Sequence, residues 1–260
     1  MSAPPADPTA EDHSRADVGL VCALSMELNH FFDRCEKVRA MSGGGFRFRG
    51  GRLAGVRVAA VESGPDPAKA ARATRALLDG HRPAWIVCCG FAGALGEGVR
   101  IGDIVVSTVI HRVDEDDVPT PHGMASDPTK GLHVGDLVTT DHIVRTIAEK
   151  QALAAATGAI ACDMESHAVA VVCREAGVPF MAVRAITDDL STDLPAEVHA
   201  LLEKTGAGRL GAAFGAMWNR PESVKDLWKL RENAVVAARR LAPFLEGVVK
   251  QLHAASERRD

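Results

Sequence analysis

Apolar positions along this chain fall into two periods. Three runs are apolar almost without a break: VGLVCAL at 18–24, PAWIVCCG at 83–90 and IGDIVVSTVIH at 101–111. Such runs mark strands covered on both faces. FRFRG (46–50) and GVRVAAVESG (55–64) alternate instead, and read as a hairpin with Gly50 and Gly51 near its turn. A helix is expected after the first strand, from about Met26. DPAKAARATRALLDG (66–80) has the helical period, with Pro67 in its first turn and Gly80 as its stop. Arg112–Lys130 is polar, holds three prolines and reads as a loop. GLHVGDLVTT (131–140) reads as a strand, HIVRTIAEKQALAAAT (142–157) as a helix, and residues 156–190 as strand, helix, strand.

From Ala196 to His253 the pattern is helical throughout; Pro221 can start a helix and Pro243 should kink or interrupt the long one. Alternating strands and helices predict an α/β fold with a mainly parallel, twisted central sheet flanked by helices on both sides. The helical tail is an extension that packs on the sheet or on a second subunit. The chain shows no internal repeat and no linker after its start. It therefore divides into a disordered leader, 1–17, and one domain, 18–255, with the tail from about 196.

Composition narrows the function by exclusion. Of 260 residues, 47% are hydrophobic and 25% charged, as in an ordinary globular protein. The net charge is -4 and no basic stripe is interleaved with aromatics, so a nucleic-acid partner is not expected. No apolar run approaches the ~20 residues of a membrane span. The six cysteines form no CxxC pair and no histidines fall at zinc spacing, which predicts reduced, buried thiols, a cytoplasmic protein and no metal. The start, MSAPPADPTAEDHSRAD, has no apolar core and is not a signal peptide.

Chemistry collects at strand ends, where open α/β sheets bind ligands. The first strand runs into SMELNH with Glu27, the hairpin into ESGPD, WIVCCG into GFAGALGEG, and the last two strands into DMESH and RAITDD. Singly, each has a structural explanation. Glu27 suits the first turn of a helix; the glycines suit a tight turn; Met164 would be core filler; Glu165 could cap a helix; Arg184 and Asp188 could pair. Together, several acids, an arginine and a glycine turn on one rim exceed what stability alone requires.

At these residues the chain resembles the nucleoside phosphorylase and nucleosidase superfamily, including the 5′-methylthioadenosine/S-adenosylhomocysteine nucleosidases. The resemblance rests on GLVCALSMEL, ESGPDPAKAARAT, CCGFAGALGEGVRIGDIVVS, AIACDMESHAVAVVC and VPFMAVRAITD, in order, from about Val18 to Asp188. The run TGAIACDMESHAVA followed by a long tail is similar to the hopanoid-associated phosphorylase branch.

The resemblance implies a three-layer phosphorylase/hydrolase-like fold and cleavage of a purine N-glycosidic bond. Asp188 matches the acid that protonates the leaving base, which needs a half-buried, raised carboxyl. Glu27 matches the carboxylate that activates water. Glu165 matches the acceptor of the ribose hydroxyls, and Met164 packs on the sugar. Arg184 matches an arginine near the nucleophile that holds Glu165 or water. The Ala92–Gly93 backbone lines the pocket, and Ile143 and Val144 fall near the base.

Three departures change the picture: one of length, since Arg112–Leu132 is shorter and the helical tail longer than in the nucleosidases, which leaves the 5′ group open, and two at the site. Phe91 stands where the family usually has Ser or Thr, and ALSMELNH lacks the arginine that phosphorylases set against phosphate. The first of these two removes a hydroxyl that helps bind the nucleophile, water or phosphate; the second favours hydrolysis, here of a 5′-modified adenosine, with phosphate as nucleophile, in an adenosylhopane-type phosphorylase, as the alternative. A non-catalytic nucleoside-binding protein is the reading from another class, supported by Phe91 and opposed by the retained acids. No cofactor is implied. The family's habit predicts a homo-oligomer, a dimer first, with the apolar tail as an interface.

Overall fold

The computed structural model of this chain describes residues 15–120, 122–194 and 225–258. In chain order the elements are β1 (Val18–Cys22), α1 (Ser25–Phe32), β2 (Glu36–Gly43), β3 (Phe46–Leu53), β4 (Val56–Glu62), α2 (Pro67–His81), β5 (Trp85–Ala94), β6 (Ile104–His111), β7 (Val118–Pro119), β8 (Leu132–Thr139), α3 (Ile147–Thr157), β9 (Ala161–Asp163), α4 (Ser166–Glu175), β10 (Phe180–Asp188) and α5 (Lys225–Ser256).

One sheet takes all ten strands in the order β10–β6–β8–β9–β5–β1–β4–β3–β2, with β7 on β6. β10 also pairs with β5, which closes five strands into a ring. The parallel core expected from the apolar runs is β4–β1–β5–β10. Antiparallel pairs flank it, at β2–β3–β4, β5–β9, β6–β7 and β6–β10, so the sheet is mixed.

The unbroken apolar runs are explained by cover on both faces. Along β5, Ile86 and Cys88 join Leu77 of α2 and Cys173 of α4, whereas Val87 and Cys89 join Phe31 of α1 and Leu241 and Leu245 of α5. Alternate residues thus feed two helical layers on one sheet. A further cluster uses Ala94, Ile110, Leu137, Ala161 and Ala182, all from strands of the ring.

Several local expectations change. Gly50 and Gly51 lie inside β3, and the hairpin turn is at Ala54 and Gly55, both with positive φ. A Cβ on Gly51 would stand 3.2 Å from the Cys35 Cβ and the Glu36 carbonyl, so that glycine serves a close strand approach rather than a turn. β2 gave no signal because it has no buried side to impose a period; every one of its residues is exposed. Gly80 is inside α2, which ends on Arg82 in the left-handed region. α3 starts at Ile147 because Thr146 and Glu149 form a capping box. The 112–130 segment carries β7 and a short 3-10 turn, Pro128–Lys130.

α5 runs unbroken through Pro243. A proline inside a helix costs roughly 3 kcal/mol or more. Burial of Ala237, Leu241, Leu245, Val248, Val249 and Leu252 against the sheet holds the helix in place. That same apolar stripe of α5 is therefore covered within the chain. The tail between 195 and 224 lies outside the described residues, as does the leader up to residue 14. Of the leader's last three residues, Ala16 is buried and Asp17 pairs with Arg57. Among the described residues no helix is long and apolar enough to cross a membrane.

Candidate active site

The site begins where β1 hands over to α1. Leu24 is the N-cap and Glu27 the third helical residue, so the Glu27 side chain can turn back to the free backbone donors of the cap. Its Oε2 accepts the Leu24 N–H at 2.8 Å and its Oε1 the Phe91 N–H, from β5, at 2.9 Å. Only 3% of Glu27 is exposed. Burial pushes its carboxyl above the ordinary carboxylate range, against the pull of those two amides and of Arg184.

Gly90 makes this arrangement possible. A Cβ there would stand 2.5 Å from the Glu27 Oε1 and 2.8 Å from the Arg184 Nη1. The bare backbone leaves room for an acid and a guanidinium over one strand position.

Arg184, on β10, is almost completely buried. Its Nη2 lies 2.5 Å from the Asp163 Oδ2, 2.7 Å from the Ser166 Oγ and 2.9 Å from the Cys88 Sγ. Asp163, at the end of β9, also accepts from the Thr139 hydroxyl and the Ser166 N–H. The partner of Arg184 is thus Asp163, and it acts on Glu165 through charge alone. Glu165 is the N-cap residue of α4, without a capping hydrogen bond from its side chain, and is 6% exposed; burial with Asp163 beside it pushes its carboxyl up while Arg184 holds it back.

The other end is built around Asp188. Here β10 shifts register against β5, which sets Asp188 opposite Gly93. A Cβ on Gly93 would approach the Asp188 Oδ2 to 2.9 Å. That oxygen takes the Lys150 Nζ at 2.5 Å, and Oδ1 accepts the Thr187 hydroxyl at 3.0 Å. Lys150, on α3, is fully buried and also donates to the Asp189 carbonyl at 3.1 Å. The Asp189 side chain turns away to the Ser191 N–H. The half-buried acid foreseen at position 188 is thus also ion-paired.

Both ends open into one cleft, with about 1120 Å³ of space continuous with solvent. Nine of the ten residues singled out from the sequence line it: Glu27, Phe91, Ala92, Gly93, Ile143, Val144, Met164, Glu165 and Asp188. Arg184 is buried and does not line the cleft. Leu230, Arg231 and Ala234 of α5 add to the lining. Phe91 contributes its backbone N–H, while its ring packs on the core.

Asp163 and Lys150 were missed. Lys150 had a readable signal: it shares the helix face of Ile147, Leu153 and Ala154, a charge on an apolar stripe. Asp163 had only its place among crowded charges. Among the described residues no three His, Cys, Asp or Glu side chains are grouped to hold a metal.

Residues 17–212 match the family model described as the phosphorylase superfamily. A 5′-methylthioadenosine/S-adenosylhomocysteine nucleosidase of Shewanella pealeana is 28% identical over 216 residues, 73% of this chain and 93% of the relative. Among solved structures, the nucleosidase of that name from Neisseria meningitidis, in complex with methylthio-immucillin-A, superposes with a TM-score of 0.68 at 21% identity. It covers 90% of this chain and 98% of its own. The futalosine hydrolase of Helicobacter pylori gives a TM-score of 0.68 at 17% identity, covering 90% and 97%. At these identities the structures establish the fold. The match over most of the chain establishes more: this protein belongs to the phosphorylase superfamily.

Proposed function

We propose that this protein hydrolyses the N-glycosidic bond of a 5′-modified adenosine, of the methylthioadenosine or adenosylhomocysteine type. The observation that carries this reading is the placing of Glu27 and Asp188 on one cleft, with Met164 and Glu165 lining it too. A nucleoside in this cleft would set its base toward Asp188, Ile143 and Val144 and its sugar toward Met164 and Glu165. Glu27, its carboxyl raised by burial, takes a proton from water as that water attacks the sugar carbon. Asp188 supplies the departing base with a proton. Glu165 accepts from the ribose hydroxyls as the ring becomes cationic.

The names of the relatives support the substrate class. Two buried guanidiniums beside the Glu27 end support water over phosphate, because each has an acidic partner: Arg184 pairs with Asp163, and Arg49, which donates to the Ser25 carbonyl of α1, with Glu62. A phosphate would need paired positive charge or a nest of donors. A homodimer, on the family's habit, and a cytoplasmic location, on the six free cysteines, are part of this proposal.

The test is release of free adenine from methylthioadenosine in phosphate-free buffer. Turnover there supports hydrolysis. Turnover only when phosphate is added, with 5-methylthioribose 1-phosphate as product, overturns it. Sedimentation of the purified chain decides the dimer.

A further inference from the structure

A lysine with no exposed surface is expensive to keep in a fold unless its charge is used. Lys150 has no exposed surface at all, and its Nζ makes two contacts, both at the end of β10: the Asp188 Oδ2 at 2.5 Å and the Asp189 carbonyl at 3.1 Å. It stands one turn into α3, just after the segment that carries Ile143 and Val144 into the cleft. With Oδ2 on Lys150 and Oδ1 on Thr187, the carboxyl of Asp188 is held in a single orientation. A second cavity meets the first at Asp188, Leu194 and Leu230, and is lined by Asp189, Ser191, Thr192 and Asn233 among others. Asp188 therefore faces the substrate cleft on one side and a polar, solvent-open recess on the other.

We propose that Lys150 is the positioning residue of Asp188 and the source of the proton that Asp188 delivers. The inference rests on the hydrolytic reading above and adds to it the origin of the leaving-group proton. The step starts from the ion pair of Lys150 and Asp188 seen at 2.5 Å. As the C–N bond breaks, its electron pair goes to the purine. One proton moves from Nζ to the carboxylate, and from that carboxyl to the base nitrogen, so the base leaves neutral and Lys150 is left as the amine. The attacking water gives its hydroxyl to the sugar carbon and its proton to Glu27. Solvent in the recess returns a proton through the Asp188 carboxyl, which lines it, to Lys150, and Glu27 releases one to water.

A lysine that only tied α3 to β10 would matter equally for every substrate. A proton donor matters only when the leaving group needs a proton. The experiment compares the parent protein with Lys150→Met and Asp188→Asn on two substrates: methylthioadenosine, and the 5-methylthioriboside of 4-nitrophenol, whose phenolate departs unaided. For Lys150→Met, kcat on methylthioadenosine falls ~10²-fold or more with KM within about threefold, while turnover of the nitrophenyl riboside stays within about fivefold. Asp188→Asn shows the same selectivity.

Equal losses on both substrates for Lys150→Met, or full turnover of methylthioadenosine, overturn the role of Lys150. If Asp188→Asn itself shows no selectivity between the substrates, the hydrolytic reading of Asp188 fails instead. Should Lys150→Met lack a cooperative melt, Lys150→Gln, which keeps a donor but no charge, is measured in the same way, with the same two outcomes.

Discussion

The two ends of the cleft hold a carboxylate by opposite means. At Glu27 both oxygens accept backbone N–H groups, one from the start of its own helix and one from β5. Arg184 is close, but its ion pair is with Asp163. At Asp188 one oxygen meets a buried ammonium and the other a hydroxyl. The first arrangement suits an acid that must gain a proton: it is desolvated and held without a dedicated cation. The second suits one that must pass a proton on and receive another. Residue type is nearly the same at both ends; surroundings assign the roles.

The sharpest break of this comparison is at the carboxylates themselves. Glu27→Gln and Asp188→Asn should each lower kcat by ~10² to 10⁴, with smaller changes in KM. Steady-state assay of adenine release measures both. If Glu27→Gln kept turnover within tenfold of the parent, only the Asp188 end would be doing chemistry.

Each end also rests on a glycine of β5. Gly90→Ala puts a methyl 2.5 Å from the Glu27 Oε1 and 2.8 Å from the Arg184 Nη1, two groups that are themselves tied down. Gly93→Ala puts one 2.9 Å from the Asp188 Oδ2 and 3.3 Å from the Cys162 Sγ. Displacements near 1 Å at reacting groups cost about 10²-fold. We expect that loss for Gly90→Ala and about a tenfold loss for Gly93→Ala, read as kcat/KM. Gly43→Ala, with no atom within 4 Å of its new methyl, is the neutral control. A Gly90→Ala protein as active as that control would show that Glu27 and Arg184 need not be where they are.

How much of this was legible beforehand follows from the same physics. The doubly covered strands announced themselves because burial on both faces leaves a continuous apolar run, as in VGLVCAL and WIVCCG. β2 did not, since a strand exposed along its whole length has no reason to alternate. Glu27, Glu165 and Asp188 were found because they follow strand ends, a place the fold itself marks. The resemblance then supplied roles that spacing alone left open. What the chain could not reveal is who pairs with whom. Arg184 and Asp188 sit four apart and looked like partners. On a strand, however, such neighbours are more than 10 Å apart along the backbone, and each found its partner on another element, Asp163 and Lys150. Ion pairing here is a product of the closed ring of strands and of α3 packing, which no local pattern encodes.

Acidity gives a subtler separation of the two ends. The Glu27 carboxyl is raised above its ordinary ~4.3 by burial. It must be ionised to take a proton from water, so kcat/KM should fall as pH drops through a value above ~4.3. The slope should vanish in Glu27→Gln, whatever activity remains. A pH profile of kcat/KM measures this. An acid limb at or below pH 4 would mean that burial does not set the protonation of Glu27.

The smallest expected effect concerns stability. Glu165 belongs with the Glu27 end: buried, with Asp163 beside it and only a share of Arg184. Its carboxyl is raised in the folded protein above its unfolded value of ~4.3. The stability linked to that proton is complete below ~4.3 and is lost as pH rises through the folded value. Glu165→Gln removes the charge that the fold must desolvate. The variant should therefore melt close to the parent at pH 5 and ~2–4 °C above it at pH 8, for each kcal/mol relieved. Asp188→Asn should do the reverse and lower the melting temperature, because it strips a buried ammonium of its counter-charge. Opposite signs from two acid-to-amide changes in one cleft would follow from the difference between a carboxylate held without a cation of its own and one held by an ion pair. Equal signs would mean that the two ends are electrostatically alike, and that the division of labour between them lies elsewhere.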